Sequence, residues 1–160
     1  MAQAEIGFFY SLVRTHETNM ELVDRVDLEV RELHRFFQDW FNAKLSRTDS
    51  EFGRVLRAWR PPFVLRAPSG EVLGAERLAL ELYSQFGAFP ELSIVVKNLR
   101  VEPLNNGLAA RALYEEWHVD VGETDCRYCE AWFEIDEQAP NGVRWARLQE
   151  SRTVGPTNAL

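Results

Sequence analysis

The sequence is short of the features that would assign it quickly. Only two of its 160 residues are cysteine. A disulfide framework is thereby excluded as the device that holds the chain together, and a reducing compartment is expected. Cationic residues are in deficit: 18 Lys and Arg against 25 Asp and Glu leave a formal net charge of −7 and a pI near 5.0. Affinity for phosphate backbones comes mainly from clustered Lys and Arg, so neither nucleic acid nor an anionic membrane is expected as a partner. No apolar run approaches the roughly 20 residues of a membrane span. No basic segment followed by an uninterrupted apolar stretch opens the chain, and a cytoplasmic protein is the expectation. Histidine is also scarce, with three in all, so imidazole chemistry has few possible seats. No repeat, linker or low-complexity segment breaks the body.

What is present is apolar and aromatic. The composition is 46% hydrophobic and 12% aromatic, with five Trp and ten Phe, ample for the packed core of one domain. Four extended segments dominate the second half: Leu92 to Pro103, Leu108 to Val121, Cys126 to Asp136 and Val143 to Thr153. Asn105-Asn106-Gly107, Gly122-Glu123-Thr124-Asp125 and Pro140-Asn141-Gly142 join them. Asn-Gly between apolar runs is a strong hairpin signal, because both residues tolerate positive φ. These segments predict an antiparallel meander.

Helices are expected upstream. Val26, Val30, Leu33, Phe37, Trp40 and Phe41 recur at helical spacing, with Glu29, Arg31, Glu32, Arg35, Gln38 and Asp39 on the opposite side. His34 lies at the edge of the apolar stripe, where a structural role is favoured over an acid or base. Thr48-x-x-Glu51 is a capping-box pattern opening a second helix, with Phe52, Val55, Leu56 and Trp59 as its buried face and Pro61-Pro62 as its stop. Phe63 to Ala67 and Glu71 to Leu73 predict a short strand pair. Ala75 to Phe86 follows as a third helix, with Leu78, Ala79, Leu82, Tyr83 and Phe86 inward. Residues 1–25 read as an arm or short helix in which Ile6, Phe8, Phe9, Leu12 and Val13 pack on the body, 26–153 as the domain, and 154–160 as a flexible tail.

Cys126-x-x-Cys129 has the spacing of a redox dithiol or half a zinc site. A redox pair usually sits at a helix N-terminus, whereas this pair leads into a strand. Zinc would need about four ligands, and only His118 on the neighbouring strand offers a third. The favoured reading is a turn Cys126 and a buried Cys129 acting as a small apolar side chain, with no metal and no cofactor.

The order of elements, together with Val30-Arg31-Glu32-Leu33-His34-Arg35-Phe36-Phe37-Gln38-Asp39-Trp40-Phe41, Ala67-Pro68-Ser69-Gly70, Tyr114-Glu115-Glu116-Trp117 and Ala139-Pro140-Asn141-Gly142-Val143-Arg144-Trp145, resembles the nuclear-transport-factor-2-like superfamily, in its SnoaL-like (polyketide-cyclase-like) group. The resemblance covers about residues 26 to 153. It implies an α+β, cystatin-like fold: a cone-shaped curved antiparallel sheet with three helices covering its concave face and enclosing an apolar pocket, usually in a homodimer. Superfamily members include isomerases, dehydratases, epoxide hydrolases and cyclases that use side-chain acids and bases without metal, and also proteins that only bind or assemble. Many relatives end the last strand with His-Glu where this chain has Gln149-Glu150, so no histidine role carries over there.

Strand alternation locates candidate site residues, because successive side chains point to opposite faces. Cys129, Ala131, Phe133 and Ile135 form one face of their strand. Ala110, Ala112, Tyr114, Glu116 and His118 suit a cavity wall. In the last strand Ala146, Leu148 and Glu150 are placed inward, because an inward Arg147 would carry an unneutralised charge inside; the contrary register would pair Arg147 with Glu116. Cross-strand pairing on a solvated face is the ordinary alternative for all these polar residues. Trp117, Trp132 and Trp145 then fall on the convex face, where a second copy of the chain is expected to cover them.

Two functions remain. One is a homodimeric module that binds a small apolar molecule. The other is a cofactor-independent acid/base enzyme (isomerase, dehydratase, cyclase or epoxide hydrolase in type) using Glu116, Glu150 or His118 in a pocket lined by Phe37, Phe41, Trp59, Tyr114, Phe133 and Leu148. Convergence of two or more ionisable side chains in a closed cavity would favour the enzyme.

Overall fold

The computed structural model describes residues 2–152, and for 2–18 and 20 the backbone alone. Helix α1 runs unbroken over Ala2–Phe41, so the boundary expected near residue 25 falls inside a helix. Between Phe8 and Phe41 the chain has neither Gly nor Pro to stop it. The side chains of Ile6, Phe8, Phe9, Leu12 and Val13, and the tail 154–160, lie outside the described residues. Leu22, Val26, Val30, Leu33, Phe37, Trp40 and Phe41 form the buried stripe of α1, each side chain contributing about 1.5–3 kcal/mol.

The end of α1 is tied down. Its last carbonyls would be orphaned, but Gly87 N–H donates to Trp40 O at 3.1 Å and Phe89 N–H to Phe41 O at 3.1 Å. Asn42 Nδ2 donates to Phe89 O at 2.7 Å and Leu92 O at 3.0 Å. Helix α2, Asp49–Ala58, opens as predicted with Thr48 Oγ1 accepting the Glu51 N–H at 3.2 Å. The strand pair β1 (Val64–Arg66) and β2 (Val72–Gly74) precedes α3, Ala75–Ser84. Trp40 holds the helices together: its indole N–H donates to Leu82 O at 3.0 Å and its ring packs 4.8 Å from Phe52 and 4.8 Å from Phe86.

Strands β3 (Ser93–Leu104), β4 (Ala109–Asp120), β5 (Glu123–Ile135) and β6 (Val143–Ser151) form the meander. Asn105, Asn106 and Asn141 take positive φ in its two Asn-Gly turns, as the turn residues predict. The β4–β5 turn is tighter than expected: Asp120 pairs with Glu123, leaving Val121 and Gly122 (φ 75°) at the tip. The sheet order is β2-β1-β6-β5-β4-β3. One pairing departs from expectation, since β1 runs parallel to β6, with Leu65 opposite Leu148, and the sheet is mixed rather than wholly antiparallel.

A bulge decides the inner face of β6. Trp132 pairs with Arg147, but the next residue, Phe133, pairs with Trp145, so Ala146 is an extra residue and alternation reverses there. Trp145 and Leu148 are both buried as a result. Placing Trp145 on the convex face is thereby corrected, and with it the inward position of Ala146. Its indole is 0% exposed and packs 4.5 Å from the Phe133 ring. Ile135, expected to join the inner face of β5, is 38% exposed at the strand end.

Candidate functional site

Register brings the polar residues of the inner face together. Across β4 and β5, Tyr114 lies opposite Cys129, Glu116 opposite Arg127, His118 opposite Asp125 and Asp120 opposite Glu123. Across β5 and β6, Cys129 lies opposite Glu150 and Ala131 opposite Leu148. The set Ala110, Ala112, Tyr114 and Glu116 is buried, as its small and aromatic side chains suggest. Arg147 turns outward and covers the Trp132 ring at 3.7 Å; the guanidinium facing Glu116 across the strands is that of Arg127.

Glu116 is 7% exposed and is held between two imidazoles. His34 Nε2 lies 3.0 Å from Oε2, and His118 Nε2 makes a short contact with Oε1. His34 Nδ1 lies 2.6 Å from Val30 O. A carbonyl oxygen only accepts, so Nδ1 carries a proton, and the Nε2–Oε2 contact needs a second proton shared between imidazole and carboxyl. For both groups burial opposes charge, but each partner's charge outweighs it: His34 is raised above its usual value and Glu116 is held well below the carboxylate range. The pair is therefore an imidazolium carboxylate.

Glu150 has the opposite shift. Burial, and then the neighbouring Glu116 charge, push it up to about 7. Arg127, whose Nη1 donates to Glu150 Oε2 at 3.3 Å, offsets this only in part. Burial also pushes the Tyr114 hydroxyl and the Cys129 thiol well up, so both keep their protons. The Cys129 Sγ lies 3.7 Å from Glu116 Oε2.

His34, Glu116, Arg127 and Glu150 border a cavity of about 410 Å³. Glu116, Glu150 and His118 line it, as do Phe37, Phe41, Trp59 and Leu148 from the predicted wall. Tyr114 and Phe133 do not line it. Tyr114 packs edge-on against His34, ring centroids 5.3 Å apart, with its hydroxyl buried beside the Cys129 thiol; Phe133 sits under Trp145. His34 and Trp145 line the cavity in their stead. The place of His34 at the edge of the apolar stripe of α1 is a usable signal for it; no local feature announces the bulge that turns Trp145 inward.

Glu29, expected on the polar side of α1 opposite the apolar stripe, lies inside instead. It is 0% exposed. Arg54 bonds it through both nitrogens at 2.9 and 2.8 Å, Trp145 Nε1 donates at 3.0 Å and Asn141 Nδ2 at 2.9 Å. These bonds connect α1, α2, β6 and the turn before β6, and they set the Trp145 ring in the cavity wall. Its position three residues after Val26 and four before Leu33 is the signal that could have found it.

One donor set resembles a metal site. Atoms of Glu116, Cys129 and Glu150 lie within 4.8 Å of one another. In the structure Glu116 is occupied by two imidazoles and Glu150 by Arg127, and Cys129 holds its proton, so a cation would have to displace existing partners. Cys126 is not in a turn but within β5. Three residues from Cys129, it points to the other face, which rules out the redox pair.

No family model matches the chain, and no curated protein matches it significantly. Solved structures do. An NTF2-like protein of unknown function from Pseudomonas aeruginosa is similar over 79% of this chain and 97% of its own, at 21% identity and TM-score 0.69. A protein of unknown function with a cystatin-like fold from Nostoc punctiforme is similar over 82% of this chain and 92% of its own, at 15% identity and TM-score 0.55. A proposed dehydratase of the NTF2-like family from Streptomyces avermitilis is similar over 81% and 98%, at 14% identity and TM-score 0.55. At these identities the likeness carries the fold and does not reach the SnoaL-like subgroup. An open six-stranded mixed sheet with helices over its concave face, matched along nearly the whole of these relatives, gives this chain the NTF2-like, cystatin-like α+β cone fold.

Proposed function

We propose that the protein is a cofactor-independent acid/base catalyst for a small apolar molecule held in the cone cavity. The observation that carries this reading is the convergence of Glu150, Glu116 and His34 on one cavity wall. Glu150 is the proton-exchanging group, because its pKa of about 7 lets it both give and take a proton near neutrality. Glu116 supplies the charge that raises Glu150 and keeps His34 protonated. His118 flanks Glu116 and completes its hydrogen bonding.

Two reaction types suit this set. In an isomerisation, Glu150 takes a proton from carbon beside a carbonyl and returns it to another carbon. In a dehydration, Glu150 takes the carbon-bound proton, the C–O bond breaks, and Glu150 passes that proton to the departing oxygen, which leaves as water and returns Glu150 to its starting state. Tyr114 supports His34 by ring contact rather than by reaching the substrate. The direct test is deuterium washout: small cyclic ketones incubated with the protein in D2O and followed by proton NMR. Exchange above the buffer rate that disappears in Glu150→Gln supports the reading; binding without exchange favours the non-catalytic module. That second reading draws on Glu116 and Glu150 being already satisfied by neighbouring cations.

Homodimerisation through the convex face is part of the proposal, though Trp145 no longer contributes. Trp117 and Trp132 are half-buried under Lys97 and Arg147, while Val95 and Val119 are 39% and 42% exposed. Sedimentation at micromolar concentration should give a dimer, and a monomer overturns this part. Two free thiols on opposite faces of β5 suit a reducing compartment, in keeping with a cytoplasmic protein. No helix among the described residues is long and apolar enough to cross a membrane.

A further inference from the structure

Arg127 is a cation whose donors the protein leaves largely uncommitted. Among the described residues it is the only Arg or Lys that lines the cavity, and it lies on β5 directly opposite Glu116. That register would pair the two, but both Glu116 oxygens are taken, Oε2 by His34 and Oε1 by His118. A guanidinium carries five N–H donors. Arg127 directs one of them, from Nη1, to Glu150 Oε2 at 3.3 Å. Its Nε is buried without a hydrogen bond; Asp125 Oδ2, 3.5 Å away, is too distant for one, and Asp125 is also held by Arg152. The two histidines of the lining have less to offer. His34 is bound at both ring nitrogens, by Val30 and Glu116, and His118 turns its Nε2 to Glu116.

We infer that Arg127 takes the carbonyl oxygen of the substrate and holds the charge that gathers on it, so that the cavity turns over enolisable ketones and aldehydes rather than simple alcohols or epoxides. This rests on the reading of Glu150 as the proton-exchanging group. An enolisable carbonyl compound presents an oxygen and an acidic carbon two bonds apart. The cation and the base that must meet them stand side by side, with 3.3 Å between their bonded atoms. Glu150 takes the proton from that carbon; the C–H electron pair becomes the C=C bond, the C=O π pair moves to oxygen, and the enolate oxygen lies against the guanidinium. Return of the proton from Glu150 to carbon reverses each shift, and Arg127 keeps its own protons throughout. Donors fixed in advance where charge develops stabilise it far more than water does. Simple alcohols and epoxides offer no proton acidified by a carbonyl, and so no enolate for Arg127 to hold.

The test uses acetophenone, isotope-labelled at its carbonyl carbon, with the intact protein and with Arg127→Met, Arg127→Lys and Glu150→Gln. The Arg127 side chain is 29% exposed, so its variants should fold. Infrared difference spectra should place the bound carbonyl stretch below its position in apolar solvent for wild type and Glu150→Gln, and back at that position for Arg127→Met. In D2O, deuterium uptake at the methyl group, measured at pH above the Glu150 titration, should fall about a hundredfold in Arg127→Met, as when one oxyanion donor is removed. It should recover in part in Arg127→Lys, which keeps a charge without the planar fork. A carbonyl stretch unshifted in wild type, or a shift that survives Arg127→Met, overturns the inference and leaves Glu150 standing. So does an Arg127→Met profile merely displaced along the pH axis with its plateau intact, which is what tuning of Glu150 alone would give. An Arg127-dependent shift without exchange in wild type supports the carbonyl contact and overturns the acid/base reading together with the enolate. Failure of acetophenone to bind overturns both.

Discussion

His34 on α1 and Glu116 on β4, 82 residues apart in the chain, meet with Nε2 3.0 Å from Oε2. Both side chains are at least nine-tenths buried, and the His34 Nδ1 proton is committed to Val30. The contact therefore positions the first helix over the sheet and puts a charge beside Glu150.

Replacing Glu116 by Gln should destabilise the fold in a pH-dependent way. His34 is raised, so its contribution is full below an unfolded value near 6.5 and fades as pH rises through its folded value. Glu116 is lowered, so its contribution is full above an unfolded value near 4.5 and fades as pH falls through its folded value. Both hold between those limits. Urea titrations of wild type and Glu116→Gln should differ most at pH 5–6, by about 3–5 kcal/mol, as when a buried pair is broken. A gap that is flat from pH 3 to 9 would count against the pairing.

Glu150→Gln should behave in the opposite sense. A carboxyl raised from 4.5 to about 7 binds its proton more tightly in the folded state, so wild-type stability falls as pH climbs through that window and stays reduced above it. The shift, in which the Arg127 contact is already included, corresponds to about 3 kcal/mol. The variant should melt higher than wild type at pH 8 and nearly alike at pH 4.5. A variant that melts lower at pH 8 would show that the Arg127 bond outweighs the burial of the charge.

Glu29→Ala should be among the most damaging single changes. It leaves Arg54 without its bidentate partner and Trp145 Nε1 unbonded inside the core, a cost of about 3–5 kcal/mol. Chemical denaturation measures it directly. A loss below about 1 kcal/mol would mean that water or Glu32 replaces the carboxylate.

Gly142→Ala probes the turn before β6. Gly142 has φ 70°, and an added Cβ would meet Arg25 Nη1 at 2.5 Å. The backbone term is about 1–2 kcal/mol, while Arg25 can swing away at the expense of its exposed Glu137 contact. A melting temperature unchanged in the variant would show that the turn adopts another conformation.

Metal and redox chemistry can be checked together. A chelator should leave the melting temperature unchanged, and thiol titration of the denatured protein should return two free cysteines. A drop in melting temperature on chelation would point to a cation at Glu116, Cys129 and Glu150.

Much of this architecture was legible in the chain because it depends on local rules. Helical spacing from Val26 to Phe41, the Thr48 cap, the Asn-Gly turns and the alternation through Ala110, Ala112, Tyr114 and Glu116 follow from backbone geometry and the cost of burying charge, and they are readable residue by residue. They also sufficed to put Glu116, Glu150 and His118 on one inner surface. What the chain could not declare depends on partners distant in sequence. Whether Glu29 is inside turns on Arg54, Trp145 and Asn141 arriving to neutralise it; whether Trp145 faces in or out turns on one bulged residue that resets the alternation of β6. Likewise, β1 joins β6 in parallel through register alone; His34 and Glu116 are charged because each meets the other across the fold in spite of burial, and Glu150 is raised because it is buried beside that Glu116 charge.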